Sequence, residues 1–148
     1  MDKYGVPILK KILLLLLLLT TLFAQNPYDV EEKIYALIIH TLYPNKTYIK
    51  VFSDTPHYKE ILQHISNIKL VSSPQDADFL LLKNELHTPY KGVIFATSYH
   101  LLKDYKEDAI GGFYWQKGRP NILFLRKNLQ KHHILLPASM QKYVEDEL

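Results

Sequence analysis

Two short apolar runs constrain this chain most: FLLL at Phe79–Leu82 and VIFA at Val93–Ala96. A strand with one wet face alternates apolar and polar residues. These runs are apolar at every position and are bounded by turn-forming or polar residues. That is the pattern of strands covered on both faces. Such strands need helices on both sides of their sheet, so the chain should build layers rather than a bundle or an open meander.

The surrounding sequence supplies the layers. Asp29 can cap a helix running to about Tyr43, with Glu31 and Glu32 in its first turn, where negative charge is favoured. Val30, Ile34, Leu37, Ile38 and Leu42 fall at helical spacing, and Tyr35 and Ile39 widen the apolar face. Pro44-Asn45 stops it. Tyr48–Phe52 has strand composition. Ser53-Asp54-Thr55-Pro56 reads as a turn capping a second helix from Pro56 to about Ile65, with proline at its first position. Ile68–Val71 is a short strand and Ser72–Asp76 a loop. Ser98 can cap a helix to about Tyr105.

The stretch GGFYWQKGRPNILFL, residues 111–125, then changes character. Phe113, Trp115 and Lys117 alternate with Tyr114 and Gln116. The tip around Gly118 has turn chemistry, Pro120 limits pairing on one side, and Ile122–Leu125 is a return strand. Gly111 and Gly112 fit a bulge or a close backbone approach. Asn128 can cap a short helix at 129–133, and Pro137 can open a last helix with Met140, Tyr143 and Val144 inward. The expected fold is α/β: a single layered domain with a mixed, partly parallel sheet, helices packed on it and a C-terminal antiparallel hairpin. Trp115 and Phe124 are expected to pack inward from that hairpin.

Not all 148 residues belong to this domain. Lys3, Lys10 and Lys11 precede an apolar run from Ile12 through Phe23, and Ala24 supplies a small residue. That order is a secretory signal, with cleavage expected after Ala24. Its apolar part is about 13 residues, short for a membrane span of about 20. Leu22 is large for a cleavage site, so an uncleaved anchor is the alternative. No Cys occurs, which excludes a lipid-anchored form and any disulfide. The domain is then 25–148, a size that buries a core without staples. Of 18 basic and 15 acidic residues, the signal holds three Lys and one Asp. The remainder carries 15 against 14, a net charge of +1, and nothing in it points to nucleic acid.

Catalytic patterns are missing. Ser53, Ser72, Ser73 and Ser98 lie in loops without the Gly-x-Ser-x-Gly elbow. Gly111-Gly112 precedes a strand rather than a helix, so it is no phosphate cradle. Glu107 and Asp108 are adjacent in a charged loop and read as a solvated turn. His57 and His64 could share a helix face, but no set of three or four zinc ligands can be named, and no cofactor or metal is expected. The expectation is a protein that is not an enzyme.

The order of elements resembles the YfiR-like family of small periplasmic proteins. VEEKIYALIIHTLYP (30–44) is similar to that family's opening helix, which ends near an aromatic residue and a proline. IKVFSDTP (49–56) resembles its first strand and Gly-Asp-Asp-Pro-like turn, with Ser53 in place of the glycine. ADFLLL (77–82) sits like a strand that often begins Cys-His. GGFYWQKGRPNILFLRKNL (111–129) is similar to its Gly-Gly strand, Gly-Arg turn, Phe-centred strand and Asn-Leu. This chain departs from the family in lacking cysteine, in a longer charged stretch from Ser98 to Asp108, and in Pro137. The resemblance implies a periplasmic regulator that binds a membrane-bound signalling protein, in the family's named member a diguanylate cyclase. A homodimer is a further option. An exposed surface would do the binding: Tyr114 and Gln116 on one strand face, with Lys117 and Arg119 at the tip. The alternatives are a small periplasmic solute-binding protein, suggested by α/β layering and secretion, and a metal-binding protein, suggested by the histidines.

Overall fold

The computed structural model describes residues 27–148. The expected signal segment, residues 1–24, lies outside the described residues. The chain divides into two units, Met1–Glu31 and Glu32–Leu148. Of the first, only the opening of a helix is described; the sheet and its apolar clusters belong to the second.

That helix, α1, spans Pro27–Leu42. It begins before Asp29, which therefore sits in the first turn rather than capping it. Tyr35, Ile38 and Ile39 are buried, with Ile34 and Leu42 packed beside them. Leu37 is instead 55% exposed. It lies two residues from Tyr35, about 200° round the helix at about 100° per residue, and so faces away from the buried stripe.

Strand β1 (Ile49–Ser53) turns its alternate residues Ile49, Val51 and Ser53 inward and leaves Lys50 exposed. Helix α2 (Pro56–Gln63) follows with proline in its first turn. Thr55 stands at its cap, but its side chain makes no capping hydrogen bond. Strand β2 (Ile68–Leu70), a 3₁₀ turn at Pro74–Asp76, and strands β3 (Phe79–Leu82) and β4 (Val93–Ala96) come next. Every residue of β3 and β4 is buried, as their unbroken apolar pattern requires. Helix α3 (Tyr99–Asp104) is capped by Ser98, whose Oγ accepts from the Leu101 N–H at 3.1 Å. Strands β5 (Ala109–Gln116) and β6 (Arg119–Leu125), helix α4 (Arg126–Lys131), a 3₁₀ helix (Ala138–Tyr143) and the short β7 (Val144–Glu145) complete the order.

One seven-stranded sheet collects all strands in the order β2-β1-β3-β4-β5-β6-β7. Every neighbouring pair is parallel except β5–β6. The fold is α/β with a mixed, mostly parallel sheet and an antiparallel hairpin. Two apolar clusters sandwich it. One gathers Phe79, Leu81, Phe95, Phe113 and Phe124 under α1 and α2. The other gathers Leu80, Leu82, Ile94 and Ala96 against Leu101 and Leu102 of α3.

Three elements near the C-terminus differ from expectation. Asn128 does not cap a helix. Helix α4 starts at Arg126 with Leu125 at its cap, so Asn128 is an interior residue, and it is fully buried. Its Nδ2 donates to the carbonyls of Lys106 at 2.8 Å and Ala109 at 2.7 Å. The side chain that would cap its own helix instead ties that helix to the turn entering β5. Pro137 opens a 3₁₀ helix rather than an α-helix. Val144 leaves that helix to pair with Phe124 as part of β7. Strand pairing there competes with helix continuation for the same backbone groups and wins.

Candidate partner-binding site

Two glycines seat the β5–β6 hairpin. β4 pairs with β5 at Ile94–Ala109 and then at Phe95–Gly111, so Ile110 is an extra residue at a bulge. A Cβ on Gly111 would lie 2.2 Å from the Leu123 carbonyl oxygen, and one on Gly112 2.9 Å from that of Ala96. Backbone approaches at these two points exclude side chains. Both readings of the Gly-Gly pair, bulge and close approach, hold here.

Beyond Gly112 the hairpin leaves the sheet. β4 pairs with β5 no further than Gly112, and β7 pairs with β6 only at Phe124 and Leu125. From Phe113 to Gln116 and back from Arg119 to Ile122, the two strands pair with each other alone among the described residues. At about 3.4 Å per residue, the four positions past Gly112 make an arm of about 14 Å. Its tip is a two-residue turn. Lys117 at φ 51° and Gly118 at φ 73° both occupy the left-handed region, the geometry of a type I′ turn whose twist matches the strands. In such a hairpin Gln116–Arg119 is a hydrogen-bonded pair, and Trp115–Pro120 is not. The N–H that proline lacks would point away from β5. Pro120 therefore costs the hairpin nothing and blunts its outer edge.

Alternation sorts the arm's side chains. Phe113 and Trp115 share one face, their ring centroids 6.0 Å apart. Phe113 is buried against Tyr35 of α1, at 5.4 Å. Trp115 is 44% exposed, contrary to the expectation that it packs inward. It shares Phe113's direction but stands one pleat farther along the arm. Phe124, nearer the sheet, is fully buried beside Phe95.

The opposite face holds Tyr114 and Gln116, with Asn121 and Arg119 directly across the hairpin. The four residues expected from sequence are thus brought together: Tyr114 and Gln116 along one strand, Arg119 opposite Gln116, and Lys117 at the turn. Gln116, Lys117 and Arg119 are exposed and, with Asn121, line a surface concavity of about 510 Å³. Asn121 donates through Nδ2 to the Arg119 carbonyl at 3.0 Å, bracing the return strand. At the base of the face Tyr114 meets Tyr99 of α3, ring centroids 5.7 Å apart. Burial, with a smaller contribution from Tyr99, pushes the Tyr114 phenol above its ordinary pKa, so it is a neutral donor at physiological pH.

Sequence reasoning missed Asn121 and Tyr99. Asn121 was within reach: fixing the two-residue turn at Lys117-Gly118 puts it opposite Tyr114. Tyr99 had no local signal, because the packing of α3 on the sheet brings it there.

The histidines scatter. His40 Nε2 lies 2.9 Å from the Ser66 carbonyl, His64 Nδ1 3.8 Å from Glu32, and His100 Nδ1 2.8 Å from Asp104. Among the described residues no group of three or more His, Cys, Asp or Glu is arranged to hold a metal. None of the described helices is long and apolar enough to cross a membrane.

A second place in the sheet has the topology of a ligand crevice. From β1 the chain moves outward to β2, while β3 lies on β1's other side, so the carboxyl ends of β1 and β3 form a switch point. That gap is spanned internally. The Asp54 carboxylate accepts from the Lys83 N–H at 2.9 Å, and from the Asn84 N–H and Nδ2, each at 2.8 Å.

No protein-family model, curated protein or solved structure matches the chain.

Proposed function

We propose that this protein is a non-enzymatic regulator or adaptor of the periplasm that binds a membrane-protein partner through the β5–β6 arm. The projecting arm carries the reading. Among the described residues no third strand pairs with the ribbon beyond Gly112, and a two-stranded ribbon gains little stability from strand pairing alone. This one extends all the same, presenting tyrosine, tryptophan and arginine, the residue types enriched at interface hot spots. The family resemblance supports the same reading. It adds the specific version, in which the partner is a membrane-bound diguanylate cyclase held in check through its periplasmic part. The solute-binding alternative has less support, because Asp54 spans the switch point at which a sheet of this order takes small ligands.

The test is site-specific photocrosslinking in cells with the full chain. Benzoylphenylalanine at Gln116 should capture a membrane protein reproducibly, and the same group at exposed Lys69 on the far edge strand should not. Equal capture from both positions, or none from Gln116, removes the arm from the interface. If the partner is a cyclase, loss of capture should be accompanied by a rise in cellular cyclic dinucleotide.

A further inference from the structure

The arm's charge identifies the kind of segment it would hold. From Ala109 to Val144 the chain contains no acidic residue, while Lys117, Arg119, Arg126, Lys127, Lys131 and Lys142 all fall in that stretch. Three of these cations are matched by carboxylates from outside it. Arg126 meets Asp146 at 2.6 Å, Lys127 meets Glu107 at 2.6 Å and Lys131 meets Asp108 at 2.8 Å. Those three pairs lie at the root of the hairpin, on and around α4. At the tip, the side chains flanking Lys117 and Arg119 among the described residues are Gln116 and Asn121, which carry no charge. The hairpin thus ends in two exposed cations, and the three carboxylates that match its neighbours' charges sit at its root.

From this we infer that the partner segment held by the arm is acidic and runs along the Tyr114–Gln116–Arg119–Asn121 face. The inference rests on the proposed function and adds the partner's chemistry. Each group on the face has a role in such a complex. The Arg119 guanidinium offers a forked donor that matches a carboxylate with two parallel hydrogen bonds, and Lys117 adds a mobile point charge beside it. Gln116 and Asn121 can bond an extended backbone. The neutral Tyr114 phenol, with Tyr99 behind it, supplies an amphipathic wall. Strand addition to the arm's outer edge is a weaker mode, since Pro120 removes a donor there. The segment we infer lies across the face, on the side chains of Tyr114, Gln116, Arg119 and Asn121.

The experiment uses the same Gln116 crosslinker in the full chain and reads which peptide of the captured protein carries the adduct. The expected adduct lies within or beside a run of Asp or Glu. Lys117→Glu with Arg119→Glu should lower the crosslink yield about tenfold, a change of about 1.4 kcal/mol in binding. The milder Lys117→Gln with Arg119→Gln should give an intermediate loss with unchanged circular dichroism, which excludes misfolding as the cause. Replacing the partner's acidic residues with Lys should restore capture by the Glu variant. A membrane-protein adduct in a segment without acidic residues, captured equally by all variants, overturns this inference and leaves the proposed function standing. Adducts found only on anionic lipid assign the cations to the membrane surface and also overturn it. No adduct on any membrane protein overturns both readings.

Discussion

Replacing Asn128 tests the least expected contact in the fold. Its Nδ2 satisfies the carbonyls of Lys106 and Ala109 together, and the residue is fully buried. Asn128→Ala removes two hydrogen bonds, each worth about 0.5–1.5 kcal/mol net. It also strands two carbonyls, the Ala109 one in a buried setting, where an unsatisfied group costs about 1–3 kcal/mol. Some repayment comes from the Asn128 Oδ1, which has no hydrogen-bond partner among the described residues and whose burial is itself unfavourable. The sum is a loss of about 2–4 kcal/mol, measured as the shift in urea midpoint at constant slope. Asn128→Asp sharpens the test. At pH 7 a carboxylate would face two carbonyl oxygens, and its destabilisation should equal or exceed that of the alanine variant. The folded protein would hold this carboxyl protonated, with a pKa raised above the unfolded value of about 3.9. The protonated form has an O–H to donate, so the variant should be most stable below about pH 4 and lose stability as pH rises through the folded pKa. A loss under about 0.5 kcal/mol for Asn128→Ala, within the range of ordinary surface substitutions, would show that the contact does not hold α4 to the sheet. An Asp variant with the same pH profile as the wild type would show that the side chain points to solvent.

The hairpin supplies two further expected outcomes. Phe124→Ala should cost about 3–5 kcal/mol, while Trp115→Ala, on a half-exposed ring one pleat beyond the sheet, should cost clearly less; equal losses in denaturant unfolding would contradict the difference in burial. Lys117→Asn should stabilise the fold by about 0.5–1 kcal/mol, because Asn-Gly is the preferred type I′ pair and Lys117 holds a left-handed φ. The same change should weaken partner capture, and a drop in thermal midpoint would argue against the turn type.

What could be read along the chain was whatever local chemistry decides. FLLL and VIFA announced central strands because burial on both faces leaves no place for a polar residue. Ser98 and Pro56 marked helix starts because capping and proline geometry act within one turn. Turn chemistry around Gly118 and the alternation of Tyr114 and Gln116 were legible too, whereas the two-residue turn at Lys117-Gly118, which sets Arg119 opposite Gln116, is fixed by the structure. Tertiary structure alone decided the rest. Trp115 and Phe113 are indistinguishable by alternation, yet Phe113 is buried against Tyr35 of α1 and Trp115, one pleat farther along, is half exposed, a difference set by a helix far away in the chain. Asn128 has good cap chemistry in isolation, yet two carbonyls about twenty residues away in sequence, those of Lys106 and Ala109, are better partners once α4 docks. Val144 belongs to a helix by spacing and to the sheet by pairing with Phe124. Spacing within a segment reports which residues share a face. How far that face is covered, and by what, depends on contacts from elsewhere in the chain.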